Sequence, residues 1–343
     1  ALNDPYTKLP ANLSWDDINK TGSLYYTTTA FQNDAAFEEN RSYVVTAYAT
    51  DKGGNEATSV GFTFTIDRTS PTVTITLPYD ANKSGIRFID RISGNAYDLW
   101  QSSRVQLAMQ QFGSPRTWYD PNTGDFTSTQ VEPLWFDVNN TNGYLSPNAT
   151  YFVFSPQGLD GKFTPGSTGL KYMILARAID AAGNTTQTFT VDVSSIVIKI
   201  DKKEPYSTIS VPSDDGNTGA GRYKSLNIGK SATNSRLRGT SYDNFYTENN
   251  SGISSVKIRL SYVESGTTYY YNGSTWDTNQ NNWISVNLTP NPPNADWTYL
   301  SDVNWNGDRE YKIEVYAEDD ARLYDDTGSG NIETTFTRPN NVR

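Results

Sequence analysis

A nine-residue segment occurs three times along this chain. Residues 43–51 (YVVTAYATD), 172–180 (YMILARAID) and 311–319 (YKIEVYAED) begin with tyrosine, end with aspartate and share an alanine two places before that aspartate. The copies lie roughly 130 to 140 residues apart. This spacing is that of a whole domain, because solenoid repeats are only about 20–50 residues long. The chain is therefore a string of similar domains.

The segment is followed by a turn and a second β-rich run. Glycine and asparagine close the turn in residues 52–55 (KGGN) and 181–184 (AAGN), and the third copy stretches the turn as far as Asn331. Runs of valine, threonine, phenylalanine and isoleucine follow in residues 60–66 and 188–200. Such runs favour strands, and Gly-Asn pairs tolerate the positive φ of tight turns. Each copy is thus predicted to form a hairpin.

Proline marks the boundaries between copies. Residues 67–71 (DRTSP) and 201–205 (DKKEP) each precede a new strand-like run, and proline both ends a ladder and begins an edge strand. We predict an all-β chain with complete sandwiches at 69–203 and 204–343, preceded by a partial, C-terminal half-domain at 1–68. The first copy lacks the front half that the other two copies have, since its Trp15 aligns with Trp135, which lies in the middle of the second copy. Either the chain is a segment of a longer tandem array, or another chain supplies the strands.

Composition limits the possible functions. The 343 residues include no cysteine and no histidine, and the net charge is −10. Disulfides, thiol nucleophiles and the usual zinc sites are excluded, and an acidic surface disfavours nucleic acid. No apolar run approaches the roughly 18 residues of a membrane span. Adjacent carboxylates, such as Asp214 and Asp215, occur in polar stretches that the sequence predicts to be solvated loops, where general acid–base catalysis is not expected. We therefore predict no catalytic residues, and a protein that is not an enzyme.

Two motifs resemble a known family. Residues 178–184 (AIDAAGN) and 49–55 (ATDKGGN), the latter followed by DRTSP, are similar to bacterial Ig-like repeats of large cell-surface adhesins and surface-layer proteins. Residues 201–205 (DKKEP) depart from the family pattern, because they lack the threonine that DRTSP contains. The resemblance implies tandem seven-stranded Ig-like antiparallel β-sandwiches in an extracellular stalk, adhesin or structural element.

An Ig-type topology predicts where the aspartates lie. The repeated segment becomes strand F, the Gly-Asn turn becomes the F–G loop, and residues 94–98 (GNAYD) and 239–243 (GTSYD) end strand B. The B–C and F–G loops lie at the pole where the chain enters. Three aspartates should therefore converge at each junction: Asp67, Asp98 and Asp180 at the first, and Asp201, Asp243 and Asp319 at the second.

Clustered carboxylates suit calcium, which takes 6–8 oxygen ligands. In the resembled family, calcium at such junctions stiffens the array. The alternative is that each aspartate is an ordinary turn residue, whose carboxylate accepts hydrogen bonds from nearby backbone N–H groups.

The aromatic residues give further expectations. Tyr43, Tyr172 and Tyr311 occupy the place of a tyrosine corner, so their hydroxyls should bond to backbone near the preceding loop. Trp135 recurs as Trp283, which favours a structural role. The tryptophans that do not recur are candidates for carbohydrate binding, namely Trp100, Trp276 and Trp305.

The leading hypothesis is a segment of an extracellular bacterial surface protein with tandem Ig-like domains and calcium at its junctions. Its partners would be Ig-like domains of the same or neighbouring chains, and a cell-surface glycan or protein receptor. One alternative is an accessory carbohydrate-binding module of a secreted polysaccharide-active enzyme. Another is a subunit of a self-assembling extracellular filament or sheath.

Overall fold

The computed structural model describes residues 9, 11–16, 21–26, 37–79, 85–100, 102–138, 151–166, 169–212, 221–222, 237–243, 251–300, 303–306, 309–321 and 334–338. Apart from one helical turn, α1 (Leu159–Lys162), the regular structure of these residues is β. None of the helices described there has the length and apolarity needed to cross a membrane.

The strands, in chain order, are β1 (Asn12–Asp16), β2 (Thr21–Tyr25), β3 (Ser42–Val45), β4 (Tyr48–Thr50), β5 (Glu56–Thr58), β6 (Phe62–Thr65), β7 (Thr72–Leu77), β8 (Ile92–Tyr97), β9 (Ser102–Gln111), β10 (Thr117–Asp120), β11 (Asp125–Ser128), β12 (Phe136–Val138), β13 (Tyr151–Phe154), β14 (Lys171–Asp180), β15 (Ser195–Lys199), β16 (Tyr206–Val211), β17 (Gly221–Arg222), β18 (Leu237–Tyr242), β19 (Ile253–Glu264), β20 (Thr267–Tyr271), β21 (Trp276–Asp277), β22 (Ile284–Ser285), β23 (Asn287–Asn291), β24 (Asn294–Tyr299), β25 (Arg309–Asp319) and β26 (Thr334–Arg338). We call β1–β6 the first unit, β7–β15 with α1 the second unit, and β16–β26 the third unit.

The second unit is a sandwich of two antiparallel sheets. One sheet has the order β13-β8-β7, and the other has the order β11-β10-β9-β14-β15 with β12 also paired to β9. Ile92 and Phe152 from the first sheet and Leu107 and Ile174 from the second lie in one buried core. Alternating residues of each strand fill that core because side chains of a strand point to opposite faces. The predicted antiparallel sandwich is confirmed.

The third unit repeats this arrangement. Its sheets have the orders β16-β18-β24-β23 and β17-β26-β25-β19-β20-β21, with β22 paired to β19. The predicted strand F is β14 in the second unit and β25 in the third, and each pairs with the long strand after strand B, β9 or β19. Trp297, Leu260 and Ile313 lie in one buried core.

Glycine is required at one matched position of each sandwich. A Cβ on Gly94 would lie 1.9 Å from the carbonyl oxygen of Thr74 and 2.7 Å from the Phe152 ring. A Cβ on Gly239 would lie 1.8 Å from the Thr208 oxygen, with the Trp297 ring in the place of Phe152. The glycine in GNAYD and GTSYD therefore lets strand B approach both its neighbouring strand and the core aromatic ring.

The repeated tyrosines bond to backbone as expected. The Tyr172 hydroxyl accepts a hydrogen bond from the Thr164 N–H at 3.0 Å and donates to the Thr164 oxygen at 2.9 Å. The Tyr311 hydroxyl makes the same pair of bonds with Asn306, at 2.7 and 3.3 Å. In the first unit, the Glu38 N–H donates to the Tyr43 hydroxyl at 2.7 Å. The tyrosine-corner expectation is confirmed in all three copies.

The first unit differs in its exposure. Its described strands form the antiparallel pairs β1–β2, β3–β6 and β4–β5, and the last two agree with the predicted hairpin after Tyr43. Val45 is 57% exposed, whereas its counterparts Ile174 and Ile313 are fully buried. The described part of this unit therefore presents to solvent an apolar face that is a core face in the other two.

One predicted strand is shorter than expected. In the run 188–200, only Ser195–Lys199 forms a ladder, as β15 paired to β14. The Thr190 oxygen accepts the N–H groups of residues 193, 194 and 195, which closes a tight turn, and the Val193 oxygen accepts the Ile75 N–H at 2.7 Å. The first part of the run is therefore drawn toward β7 in the opposite sheet.

Candidate metal centres at the unit junctions

The six predicted aspartates form two clusters. In each cluster, one carboxylate oxygen from every residue lies within 4.8 Å of the others. The first junction cluster consists of Asp67, Asp98 and Asp180, and the second junction cluster consists of Asp201, Asp243 and Asp319. The convergence expected from the sequence is confirmed, whereas metal binding by these residues stays a prediction.

The strand ends position the carboxylates. Asp98 and Asp243 directly follow β8 and β18, and Asp180 and Asp319 are the last residues of β14 and β25. The third member comes from the linker before the unit's first strand. Because β14 and β25 run antiparallel to the strands that follow Asp98 and Asp243, the end of one strand lies beside the loop that enters the next.

The first junction cluster lies at the surface and is held by local hydrogen bonds. Asn184 donates to both oxygens of Asp180, from its backbone N–H and its amide, each at 2.8 Å. The same amide donates to the Asp67 backbone oxygen at 3.0 Å, which ties the linker to the F–G turn. Asp180 is buried, whereas Asp67 and Asp98 are partly exposed.

The Asp180–Asn184 clamp is a property of the turn. Asp51, which lies in neither cluster, receives the same two bonds from Asn55, both at 2.8 Å. These hydrogen bonds lower the pKa of Asp51 by stabilising its charged form. Gly54 and Gly183 have φ of 83° and 96°, so each turn uses the predicted glycine in a left-handed conformation. The clamp explains the recurrence of the motif without any metal.

The second junction cluster is enclosed. Asp201, Asp243 and Asp319 are all 0% exposed. Ser251 donates from its N–H to Asp201 Oδ2 at 3.0 Å and from its hydroxyl to Asp243 Oδ2 at 3.2 Å. The Gly252 N–H donates to the same oxygen of Asp243. The loop that enters β19 therefore takes up one oxygen of each of these two carboxylates.

Two carboxylates of the second junction cluster, those of Asp201 and Asp243, resist ionisation. Burial, and then the nearby charge of Asp201, raise the pKa of Asp243 from 3.8 to about 6. Burial also raises the pKa of Asp201. Both effects arise because a charged carboxylate loses its hydration inside the protein, and a second negative charge adds repulsion. The three carboxylates lie close together at an electrostatic cost that a cation would remove.

One atom of the second junction cluster points to a ligand. Asp243 Oδ1 is buried and has no hydrogen-bond partner among the described residues. Buried polar atoms are nearly always satisfied, and the cost of leaving a carboxylate oxygen unsatisfied is high. The metal ligands that the three aspartates of the cluster offer are all carboxylate oxygens, which hard cations such as Ca²⁺ prefer. The residues therefore fit a calcium ion.

The enclosure comes from both sides of the second junction. A Cβ built on Gly85, from the second unit, would lie 3.3 Å from the Asp201 Cβ, 3.4 Å from the Ser251 Cβ and 3.8 Å from the Ala321 Cβ. The Ile86 oxygen accepts the Asp201 N–H at 3.2 Å. The segment 85–86 of the second unit thus packs directly on the linker and on loops of the third unit.

Several residues of these sites were not singled out from the sequence. Ser251 and Gly252 form the floor of the second junction cluster, and Gly85 covers it. They lie in segments without a repeated motif, so no sequence signal marks them. The sequence does mark Asn184, because the asparagine of the Gly-Asn turn recurs in two copies at the same distance from the aspartate.

The tryptophans proposed for carbohydrate binding lie in different environments. Trp100 is 44% exposed, and its indole N–H donates to Asn40 Oδ1 at 2.7 Å. Trp276 is partly buried against Tyr262, with ring centroids 4.9 Å apart. Trp305 is 2% exposed and lies in the core of the third unit. Its burial corrects the expectation for Trp305, because a ring inside a core presents no face to a sugar; for Trp100 and Trp276, sugar binding stays a prediction.

The recurring tryptophans share one contact. The Arg177 guanidinium lies 4.2 Å from the centroid of Trp135, and the Arg259 guanidinium lies 4.7 Å from that of Trp283. Such stacking on a sheet surface is in keeping with a structural role.

Comparisons with known proteins give distant structural similarity. No family model matches the chain, and no curated protein matches its sequence. A tetra-tandem repeat from the extending region of a large adhesion protein has a TM-score of 0.27 at 14% identity, covering 87% of this chain and 56% of that one. The FN1–FN3 domains of chicken CNTN1 have a TM-score of 0.28 at 11% identity, covering 87% and 77%. The extracellular domain of protocadherin GammaB4 has a TM-score of 0.28 at 11% identity, covering 97% and 44%.

This chain therefore spans little more than half the length of the adhesion-protein repeat. The assignment as a tandem β-sandwich protein rests on the sheets and cores described above.

Proposed function

We propose that this chain is a segment of an extracellular bacterial surface protein, in which tandem Ig-like domains form a stalk or adhesin and bind Ca²⁺ at their junctions. Its domains are a partial one at 1–68 and complete ones at 69–203 and 204–343. The role is structural and not enzymatic. Its partners are further Ig-like domains of the same or neighbouring chains, together with a surface glycan or protein receptor.

The observation that carries the proposal is the pair of matched aspartate clusters, one at each linker. A turn aspartate needs no neighbours, yet each linker aspartate meets one carboxylate from strand B's end and one from strand F's end. The unsatisfied Asp243 Oδ1 is best explained by a cation in the second junction cluster.

Calcium would supply a positive charge that joins the linker to two loops of the following unit. Asp201 and Asp67 would contribute the linker ligands, and the other four aspartates would contribute the loop ligands. The carboxylates by themselves repel one another, since two unit charges 4 Å apart interact by about 4 kcal/mol at an effective dielectric constant of 20. A junction so connected would bend less, which a projecting stalk requires.

Calorimetric titration of the chelated protein with CaCl₂ tests the proposal. We expect calcium binding, a higher melting temperature, and a longer maximum dimension by small-angle X-ray scattering. Asp243→Asn should abolish binding at the second junction, and Asp180→Asn should abolish it at the first. Absence of binding at millimolar calcium would show that the clusters are ordinary turn aspartates.

A further inference from the structure

A basic residue directly follows the linker aspartate at both junctions. It is Arg68 after Asp67 and Lys202 after Asp201. A cation next to an acidic cluster in sequence is well placed to neutralise it. At both junctions, however, the structure shows this cation bound to a carboxylate of the preceding unit.

The second junction shows the contact in detail. Lys202 Nζ lies 2.8 Å from Asp160 Oδ2 and 3.0 Å from the Asp160 backbone oxygen. Asp160 belongs to α1, and its Oδ1 accepts the Ile89 N–H at 2.9 Å. The carboxylate is therefore fixed by its own unit and holds the ammonium with its other oxygen. Both side chains are only about a third exposed or less, at 27% and 30%.

The first junction uses different residues for the same contact. Arg68 donates from its backbone N–H to Glu39 Oε1 at 2.9 Å, and its Nη1 lies 3.3 Å from Glu39 Oε2. Glu39 lies four residues before Tyr43, in the corner that precedes strand F, and Asp160 lies in the corresponding connection of the second unit. The acid and the base differ in type, but at both junctions the linker cation contacts a carboxylate of the preceding unit.

We propose that Asp160 and Glu39 are positioning residues that hold the linker cation on the preceding unit, so that the acidic cluster beside it keeps its negative charge for a divalent cation. This inference rests on the proposed calcium function. Without Asp160, the flexible Lys202 side chain would turn its ammonium toward the carboxylates of the second junction cluster. There it would compete with calcium for the negative charge of Asp201, the residue that precedes it, and of the two aspartates that meet Asp201.

A double-mutant cycle at the second junction tests the inference. Asp160→Asn should weaken calcium binding there by on the order of tenfold, in line with the loss of one favourable unit charge and the gain of a competing one. Lys202→Met alone should change the affinity less than twofold, because Asp160 already neutralises the ammonium. The double variant should return to the affinity of the parent, so the two effects are not additive.

The control is Asp125→Asn, which removes a carboxylate of the same unit from Lys162, 3.1 Å away, and leaves the linker unchanged. If charge acted only at long range, Lys202→Met would raise the affinity as much as Asp160→Asn lowers it. That additive result, or an unchanged affinity in Asp160→Asn, would overturn the inference.

A second measurement needs no calcium. In the chelated protein, Asp160→Asn should accelerate amide hydrogen exchange of linker residues 201–205, and Asp125→Asn should not. A parent chain that binds no calcium would overturn the proposed function, and the linker exchange would then decide whether the ion pair still fixes the linker. Unchanged linker exchange would show that it does not.

Discussion

Each junction brings together one aspartate from the linker, one from the end of strand B and one from the end of strand F, but the two environments differ. At the first, Asp67 and Asp98 are partly exposed, and Asn184 takes up both oxygens of Asp180. At the second, all three carboxylates are buried, and Ser251 and Gly252 leave Asp243 Oδ1 unsatisfied. The same three aspartate positions thus produce one cluster that water can stabilise and one that water cannot reach. The second should therefore depend far more on a cation.

The largest expected difference between the junctions is their response to calcium. A ligand that binds only the folded state at a thousand times its Kd stabilises by about 4 kcal/mol. We expect most of this at the second junction, where repulsion and burial oppose the metal-free state. Hydrogen exchange measured with and without calcium should show greater added protection in β25 than in β14. Equal protection of the two strands would contradict the comparison.

The second expected difference is the response of the chelated protein to pH. The pKa of Asp243 is about 6 in the folded protein and 3.8 as its ordinary value. The folded state therefore binds more protons between these values, and the stabilisation is complete below pH 3.8 and lost as the pH rises through 6. A shift of this size corresponds to about 3 kcal/mol.

The chelated third unit should accordingly lose stability between pH 4 and pH 7, as read from hydrogen exchange of β25. Calcium should reverse this trend, because metal binding needs the ionised carboxylates. The same decrease in the Asp243→Asn variant would assign the pH dependence to other groups.

A third expected difference is the sign of the change in stability when one carboxylate is replaced by an uncharged amide. Without calcium, Asp243→Asn should stabilise the third unit by about 2 kcal/mol at neutral pH, because it removes a buried charge beside Asp201. With calcium, the same substitution should destabilise it by removing a ligand. Asp98→Asn, in the partly exposed cluster, should change the chelated protein by less than about 0.5 kcal/mol. Melting curves of both variants in chelator and in calcium provide the test; destabilisation by Asp243→Asn in chelator would refute the expected repulsion.

The last prediction concerns the hydrogen bonds of Asn184 at the first junction. Asn184→Ala removes the amide that joins Asp180 to the Asp67 backbone oxygen, at a cost of about 1 kcal/mol. Asn55→Ala is the matched control, because it removes the same amide from Asp51 outside either cluster. We expect only Asn184→Ala to accelerate exchange of linker residues 67–71. Equal acceleration in the control would mean that the amide stabilises its turn and not the junction.

Much of the fold follows from local sequence. The strand that contains Tyr172 or Tyr311, the left-handed glycine of the turn and the glycine of GNAYD each depend on requirements within a few residues or one strand neighbour. Such requirements recur with the repeat, so each is marked by the same residue type in at least two copies. The positions of Asp98 and Asp180 follow as well, because topology places the ends of strands B and F at one pole.

The sequence alone determined that this is an all-β tandem protein with two aspartate clusters. Only the tertiary structure decided that the second cluster is closed to water, that Gly85 of the preceding unit covers it, and that Lys202 turns to Asp160. It also placed Trp305 inside a core, where the sequence had indicated a binding residue. Burial and pKa are set by residues far apart in the chain, which packing brings together and no local motif records.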